Sequence, residues 1–265
     1  MKNHITLILI LLFSSLSLAQ TKGYVTYEAF SGVSIVANPP HENGYNYEYE
    51  IEKGTLYFQG DKSIYQQIQN KTKTIYRIDN NGPSKTVVNR DNRDETGWVY
   101  FKDIKNKRLL SRESYWNKAS FVSVKENFPK IQWKITSEKK KIGGYSCIKA
   151  EADFLGRKWE AWFTYEIPVQ LGPWKLGGLP GLILEAQDKK LDFVYKLKEI
   201  KLPADFSSSK ISESYFGTTF ISREDFLKKD KKKKDKYVSY LESVALENDG
   251  SVNIKFDPTL EVRSN

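Results

Sequence analysis

Alternation of apolar and polar residues is the sequence feature that most constrains the fold. Residues 45–51 (YNYEYEI), 131–136 (IQWKIT) and 191–198 (LDFVYKLK) each place apolar or aromatic side chains at every second position. Successive side chains of a β-strand point to opposite faces, so this period predicts strands with one buried face and one solvated face. Further strands are predicted at residues 24–30, 54–59, 62–68, 73–78, 85–89, 97–103, 119–125, 145–154, 157–164 and 181–187.

Short polar turns separate the predicted strands, for example at residues 52–54, 59–61 and 155–157. Short connections favour antiparallel neighbours, and a sheet with one solvated face is typical of antiparallel pairing. Aromatic residues make up 14% of the chain, and they fit well on a half-buried pleated surface. We therefore expect a mainly β protein in which an antiparallel meander forms a curved sheet or half-barrel.

The pattern changes after about residue 203. Ser222 is a candidate helix N-cap, and acidic residues follow it in the first turn, so a helix is predicted over residues 223–235. Together with its flanks this helix defines a lysine-rich helical region at about residues 205–245. The fold class expected from the whole sequence is therefore α+β, with the helical part near the C-terminus.

The first 19 residues have the layout of a cleaved secretory signal. A short positive head precedes an apolar run over residues 5–13, and Ser17 and Ala19 are small residues before the expected cleavage site. The apolar run is too short to span a membrane, and no later stretch is apolar for long enough. We expect residues 1–19 to be removed and residues 20–265 to form a single β-rich domain that is periplasmic or secreted.

Residues 172–185 (GPWKLGGLPGLILE) combine glycines and prolines with apolar side chains. Pro180 and Gly181 occupy the second and third positions of a sequence typical of a type II turn, whose third residue adopts a positive φ. A long connection inside a β domain usually has a function or folds back on the core, and the apolar side chains here predict that residues 167–181 fold back. The residues expected to shape this connection are Pro173, Gly177, Gly178, Pro180 and Gly181.

The same connection supplies the candidate binding residues. Two interpretations stay open: a structural plug inserted against the apolar face of the sheet, or the wall of an apolar ligand pocket or docking surface. In both, side chains of the connection meet those of the preceding strand at residues 157–164. The candidates for contact with a ligand or partner are Trp159, Phe163, Trp174, Leu176 and Leu179.

The segment GGLPGLILE, together with the upstream GGYSCIKAEADFLGRKWEAWFTYEIPVQLGPWKL, resembles the GLPGLI family of exported Bacteroidota proteins. The resemblance is specific over residues 143–187. It implies an exported β-rich protein with a variable lysine-rich tail, and envelope partners, because members are often associated with outer-membrane import systems. The family has no assigned activity, so the resemblance implies no catalytic residues.

The residues give little support to catalysis or metal binding. Outside the predicted signal the chain has one histidine, His41, and one cysteine, Cys147, too few for a Ser-His-Asp or Cys-His arrangement or a zinc site. Cys147 has the same strand parity as Lys149, Glu151 and Asp153, so a regular strand would place it on a charged face. We interpret it as a packed thiol, with a reactive thiol as the alternative. Paired carboxylates for a hydrolase would come from Glu160, Glu166 and Glu185. We expect no catalytic residue, metal or cofactor.

The expected function is binding without catalysis. The ligand would be an apolar or amphipathic small molecule or lipid, or an envelope protein, held on the face bordered by residues 172–185. The alternatives are a carboxylate-based hydrolase and an envelope scaffold with no ligand. Seven lysines at residues 228–236 are interpreted as a solvated face. Peripheral contact with an anionic membrane stays open, whereas nucleic acid is not expected, because no arginine or aromatic residue interleaves with these lysines.

Overall fold

The computed structural model describes residues 22–36, 46–79, 82–89, 94–115 and 120–247. Within these ranges the chain is built mainly from strands. They are β1 Lys22–Val36, β2 Asn46–Gln59, β3 Lys62–Ile68, β4 Thr72–Asp79, β5 Gly82–Asn89, β6 Trp98–Asp103, β7 Arg108–Ser114, β8 Phe121–Asn127, β9 Lys134–Ile142, β10 Tyr145–Phe154, β11 Arg157–Thr164, β12 Leu182–Asp188, β13 Phe193–Lys201 and β14 Phe220–Ser222. Short 3-10 helices at Ser208–Lys210 and Glu213–Tyr215 and helix α1 at Arg223–Glu247 complete the described elements.

Twelve of the strands form one open sheet in the order β14-β8-β7-β6-β3-β2-β1-β13-β12-β11-β10-β9, and β4 and β5 pair separately. Every pair in the large sheet is antiparallel except β14 with β8. Apart from the edge strand β14, the sheet consists of two meanders, one of β1, β2, β3, β6, β7 and β8 and one of β9–β13, which are joined at the β1–β13 pair. This confirms the expected mainly β, antiparallel fold with a C-terminal helix.

The connection between the two meanders requires the sheet to be strongly curved. Strands β8 and β9 lie ten positions apart in the strand order, which is about 48 Å across a flat sheet. The chain passes from Asn127 to Lys134 between them, and so few residues span at most about 24 Å. The ring centroids of Tyr65 on β3 and Tyr195 on β13, three strands apart, are 6.2 Å from each other, so these side chains converge on the concave face.

The concave face carries the main hydrophobic core. Its buried members come from β1, β2, β3, β6, β7 and β9 to β13, from the connection between β8 and β9, and from the connection between β11 and β12. The opposite face is covered only in part: Ile64, Phe101 and Leu110 pack against Phe216 and Phe220 from the segment after β13. The wide concave core therefore positions the glycine-rich connection.

Helix α1 starts as the sequence predicts. The Ser222 hydroxyl accepts a hydrogen bond from the backbone N–H of Asp225 at 3.0 Å, which is N-cap geometry. The helix continues to Glu247 rather than ending at residue 235. It is attached to the sheet near its first turns, where the ring of Phe226 stacks on that of Tyr115 at a centroid distance of 5.2 Å. Most of its lysines are exposed.

Three local predictions are wrong. The turn predicted at residues 52–54 is absent, because β2 runs through it and Gly54 pairs with Tyr27. A Cβ on Gly54 would lie 2.0 Å from Tyr65 Oη, so this glycine makes room for a buried tyrosine instead of forming a turn. The strand predicted at 131–136 begins only at Lys134, and Ile135 is 43% exposed. Strand β7 was not predicted because both of its faces are partly buried, which removes the alternation.

The predicted signal at residues 1–19 and His41 lie outside the described residues. In the part of the chain that the structure describes, no helix has the length and apolar character needed to cross a membrane.

Candidate functional site

Residues 167–181, named here the GLPG segment, connect β11 to β12 and fold into a compact unit. Leu171 and Gly177 form an isolated antiparallel bridge, and the N–H of Gly178 donates to the carbonyl of Gln170 at 3.1 Å. The N–H of Ile183 on β12 donates to the carbonyl of Leu171 at 3.0 Å. The segment is thus tied by backbone hydrogen bonds both to itself and to the following strand.

The apolar side chains of the GLPG segment are buried in the concave core. Trp174 is 1% exposed, and Leu176 and Leu179 are equally inaccessible. The indole of Trp174 stacks on that of Trp159 with ring centroids 5.5 Å apart, and its other neighbour is Phe154 at 5.6 Å. The segment therefore fills the concave face from within.

The positive φ expected at Gly181 is wrong. In this segment the residues with positive φ are Gly178, at 85°, and Trp174, at 48°. A Cβ on Gly181 would lie 2.0 Å from the carbonyl oxygen of Thr164, whereas one on Gly178 would meet nothing within 4 Å. Gly181 is required by close approach of two backbone segments, and Gly178 by its conformation.

Substitutions at these two glycines should separate the two requirements. We expect Gly181→Ala to lower the free energy of unfolding by about 2–3 kcal/mol, because the new Cβ meets backbone that has little room to move. Gly178→Asn should cost less than about 1 kcal/mol, because asparagine tolerates the left-handed conformation. Urea denaturation of both variants measures the difference. Equal destabilisation by the two substitutions would contradict this assignment.

A buried lysine holds the GLPG segment from the opposite side of the concave face. Lys102 on β6 has 0% exposure, and its Nζ donates to the carbonyl oxygens of Gly172 and Leu176 at 2.7 and 2.8 Å. Burial holds the pKa of this amine well below its usual range. The indole Nε1 of Trp133 donates to the carbonyl of Gly177 at 2.9 Å. Three backbone carbonyls of the segment thus receive hydrogen bonds from side chains.

A second lysine links the GLPG segment to a buried ionic network. Lys175 Nζ lies 2.7 Å from Glu126 Oε1 and 3.7 Å from Glu113 Oε1. Arg223, the first residue of α1, donates to both glutamates. Burial acts to raise the pKa of Glu113, but the charges of Lys175 and Arg223 more than offset it and lower the pKa to about 2. Two carboxylates and two cations therefore form a balanced cluster.

The five predicted binding residues lie together, but within the core. Trp159, Phe163, Trp174, Leu176 and Leu179 are all buried to 1% exposure or less. None of the five lines the open groove formed by β8, β14 and the turn between β6 and β7. The indole Nε1 of Trp159 lacks a hydrogen-bond partner among the described residues.

The three candidate hydrolase carboxylates have separate partners. Glu185 pairs with Lys140, Glu166 accepts a hydrogen bond from the N–H of Ser146 at 2.7 Å, and Glu160 lies 3.6 Å from Lys149 Nζ. Glu160 shares Lys149 with Glu138 and Glu151. Carboxylates also converge at two other places, Glu113 with Glu126 at Arg223 and Asp188 with Asp192 at Arg157. Among the described residues, no three histidine, cysteine, aspartate or glutamate side chains are placed to hold a metal ion.

Cys147 is buried although its neighbours suggested a charged face. The β9–β10 register shifts between Ile148 and Ala150, so the buried positions change parity at this bulge, from Cys147 to Ala150. Burial, with a further contribution from Glu185, raises the pKa of the thiol to about 11. The structure therefore describes a packed thiol.

We expect Cys147 to react slowly with a thiol reagent in the native protein and rapidly after unfolding in urea, because the reactive thiolate is disfavoured and covered. Absorbance of the released reagent group measures both rates. Cys147→Ala should cost about 1–2 kcal/mol of stability. Equal labelling rates in the native and unfolded protein would restore the reactive-thiol alternative.

An open groove of about 600 Å³ lies on the outside of the sheet, beside the ionic network. It is formed where the turn between β6 and β7, the end of β8 and the short strand β14 meet. Glu126, which binds Lys175 of the GLPG segment, is one of its lining residues. The groove and the GLPG segment therefore share a residue.

A family model described as "N-glycanase peptide, N-terminal domain" matches residues 104–219. Solved structures of PNGF-II in the P21 and C2 space groups are similar over 79% of this chain, at 21% sequence identity, with TM-scores of 0.48 and 0.46. The chain spans about a third (33%) of the length of those solved proteins. No curated protein matches the chain. The matched range includes the GLPG segment, Glu113 and Glu126, but neither Lys102 nor Arg223.

Sequence reasoning missed the polar residues of this site. Lys102 follows WVYF in a strand, and Lys175 is the single charged residue within residues 172–184. A lysine inside an apolar run is the signal that could have found both, because such a residue must be buried with partners. Glu113, Glu126 and Arg223 have ordinary charged neighbours, and nothing local distinguishes them.

Proposed function

We propose that this chain is an exported, non-catalytic binding protein of the cell envelope and a member of the GLPGLI family. It would take an amphipathic small molecule or lipid, or an envelope protein, on the surface that borders the GLPG segment. The periplasm or the exterior is the proposed location, in keeping with the signal-like first 19 residues.

The observation that carries this proposal is the charge balance around Glu113 and Glu126. A carboxylate hydrolase needs one carboxyl group that keeps its proton near neutral pH. The pKa of Glu113 is instead lowered to about 2, and each glutamate is paired with Lys175 and Arg223. This pairing supports a structural role for the two carboxylates and favours binding over hydrolysis.

The burial of the GLPG segment favours its role as a plug. Trp174 and Leu176 fill the concave face, and Lys102 holds the backbone around them. An apolar ligand beneath the segment would have to displace these contacts. We therefore place binding at the border of the segment, on the side of Glu126. The family match supports a module of this kind, since it is to an N-terminal domain.

Native mass spectrometry of the protein purified from its own periplasm tests the proposal. We expect a lipid, a small amphipathic molecule or a partner subunit to remain bound, and to be absent from protein refolded out of urea. A chain that is recovered bare from its native compartment would contradict binding. Because the family match is to a domain of an N-glycanase, the purified chain should also be incubated with a denatured N-glycoprotein. Release of glycan would contradict the non-catalytic assignment.

A further inference from the structure

The groove outside the ionic network carries two lysine side chains whose charges are not paired with a carboxylate of the described residues. Lys107 and Lys125 both line it and are exposed. In the described ranges, neither ammonium group has an ion pair or a hydrogen bond. The other charges at the groove are balanced: Arg108 pairs with Glu213, and Glu126 pairs with Lys175 and Arg223.

Hydrogen-bond donors and apolar surface accompany these two charges. Asn127 lies directly opposite Arg108 in the β7–β8 pair and lines the same groove as the lysines. The other wall is formed by β14, whose Phe220 side chain belongs to the apolar cluster outside the sheet. Ammonium and amide donors on one side and an aromatic side chain on the other suit a molecule with an oxyanion next to a hydrocarbon part.

We propose that this groove is an oxyanion-binding site that takes a phosphate group, with Lys107, Lys125 and Asn127 as the donors. Phosphate presents several acceptor oxygens in different directions, which matches donors arriving from strand β8 and from the turn between β6 and β7. The group is supplied either by a lipid headgroup, whose chain lies against Phe220, or by free phosphate. This site deepens the proposed function and rests on it for the amphipathic source.

Calorimetric titration with dihexanoyl-phosphatidylglycerol below its micelle concentration, and separately with inorganic phosphate, tests the site. The groove variant is Lys107→Gln with Lys125→Gln. The matched control, Lys139→Gln with Lys141→Gln, removes the same charge from exposed positions of β9. We expect the groove variant to lose at least about tenfold in affinity and the control less than about twofold.

Each outcome has a defined meaning. Tighter binding of the lipid than of inorganic phosphate, lost in the groove variant, supports a headgroup source; equal binding of the two supports free phosphate. Equal losses in the groove and control variants, or no binding of either probe, overturn the site. If the groove variant still retains its native ligand from cells, the site is wrong and the proposed function stands. If phosphatidylglycerol binds through Lys107 and Lys125 but nothing is recovered from cells, the site stands and the proposed function fails.

Discussion

Trp174→Ala is expected to lower the free energy of unfolding by about 3–5 kcal/mol, because a fully buried indole is removed from a filled core. The substitution removes the stacking of the Trp174 ring on Trp159 and its contact with Phe154. For a chain of this size the change corresponds to a fall of about 6–20 °C in the melting temperature. Thermal denaturation followed by near-ultraviolet circular dichroism measures it.

Trp162→Ala is the matched control. Trp162 lies on β11, but it is only partly buried and its ring is covered by Lys140 at 4.4 Å. Its removal should cost no more than about 1–2 kcal/mol. If Trp174→Ala left the melting temperature unchanged and abolished recovery of a bound ligand, the plug interpretation would be wrong and the segment would be the wall of a pocket.

The second large effect is expected at Lys102. Lys102→Met keeps an unbranched side chain, shorter by the terminal nitrogen, but leaves the carbonyl oxygens of Gly172 and Leu176 buried without a donor. Each unsatisfied group costs about 1–3 kcal/mol, and relief from burying an amine offsets part of this. We expect a net destabilisation of about 2–4 kcal/mol, measured by urea denaturation.

The cost of Lys102→Met should grow with pH. Because the folded pKa of Lys102 is lowered, the native state binds fewer protons than the unfolded state between that pKa and the unfolded value near 10.4. Stability of the wild-type protein therefore rises with pH in this window, by up to about 1.4 kcal/mol per pH unit, and the variant lacks this gain. Buried tyrosines such as Tyr27, whose pKa is raised, affect both proteins equally.

Urea denaturation of the two proteins in parallel between pH 7 and pH 9.5 gives the difference directly. A destabilisation that stays constant over this range would show that Lys102 carries the same charge in the folded and unfolded states, and would contradict the effect of burial on its pKa.

Local features of the fold were predictable from the sequence, and long-range ones were not. The alternation around Phe193 and the N-cap at Ser222 are properties of a few neighbouring residues, and the structure has both. Gly54 and Gly181 have the sequence context of turns, yet each is required by a distant atom, Tyr65 Oη and the Thr164 carbonyl oxygen. A single sequence carries no local signal for such a requirement.

In the candidate site, too, the local features were predictable from the sequence and the long-range contacts were not. The apolar character of residues 167–181 predicted that this connection folds back, and Trp174 is buried. The partners of Lys175 come from β7 and β8, which are far away in the chain, and Arg223 of α1 pairs with the same two glutamates. Their meeting depends on the curvature of the whole sheet. The alternation also suggested the wrong face for Cys147, because the bulge before Ala150 shifts which positions of the strand are buried.

The pair of strands at the centre of the sheet has a consequence for how the chain reaches its folded state. Strand β1 pairs with β13, and the hydroxyl of Tyr24 donates to Glu199, which is 175 residues later. Closing so large a loop costs conformational entropy before any contact compensates for it, and topologies of this kind fold in milliseconds to seconds. The first meander therefore keeps an unpaired edge until nearly the whole chain is available, and the protein folds as a unit only after β13 has been made.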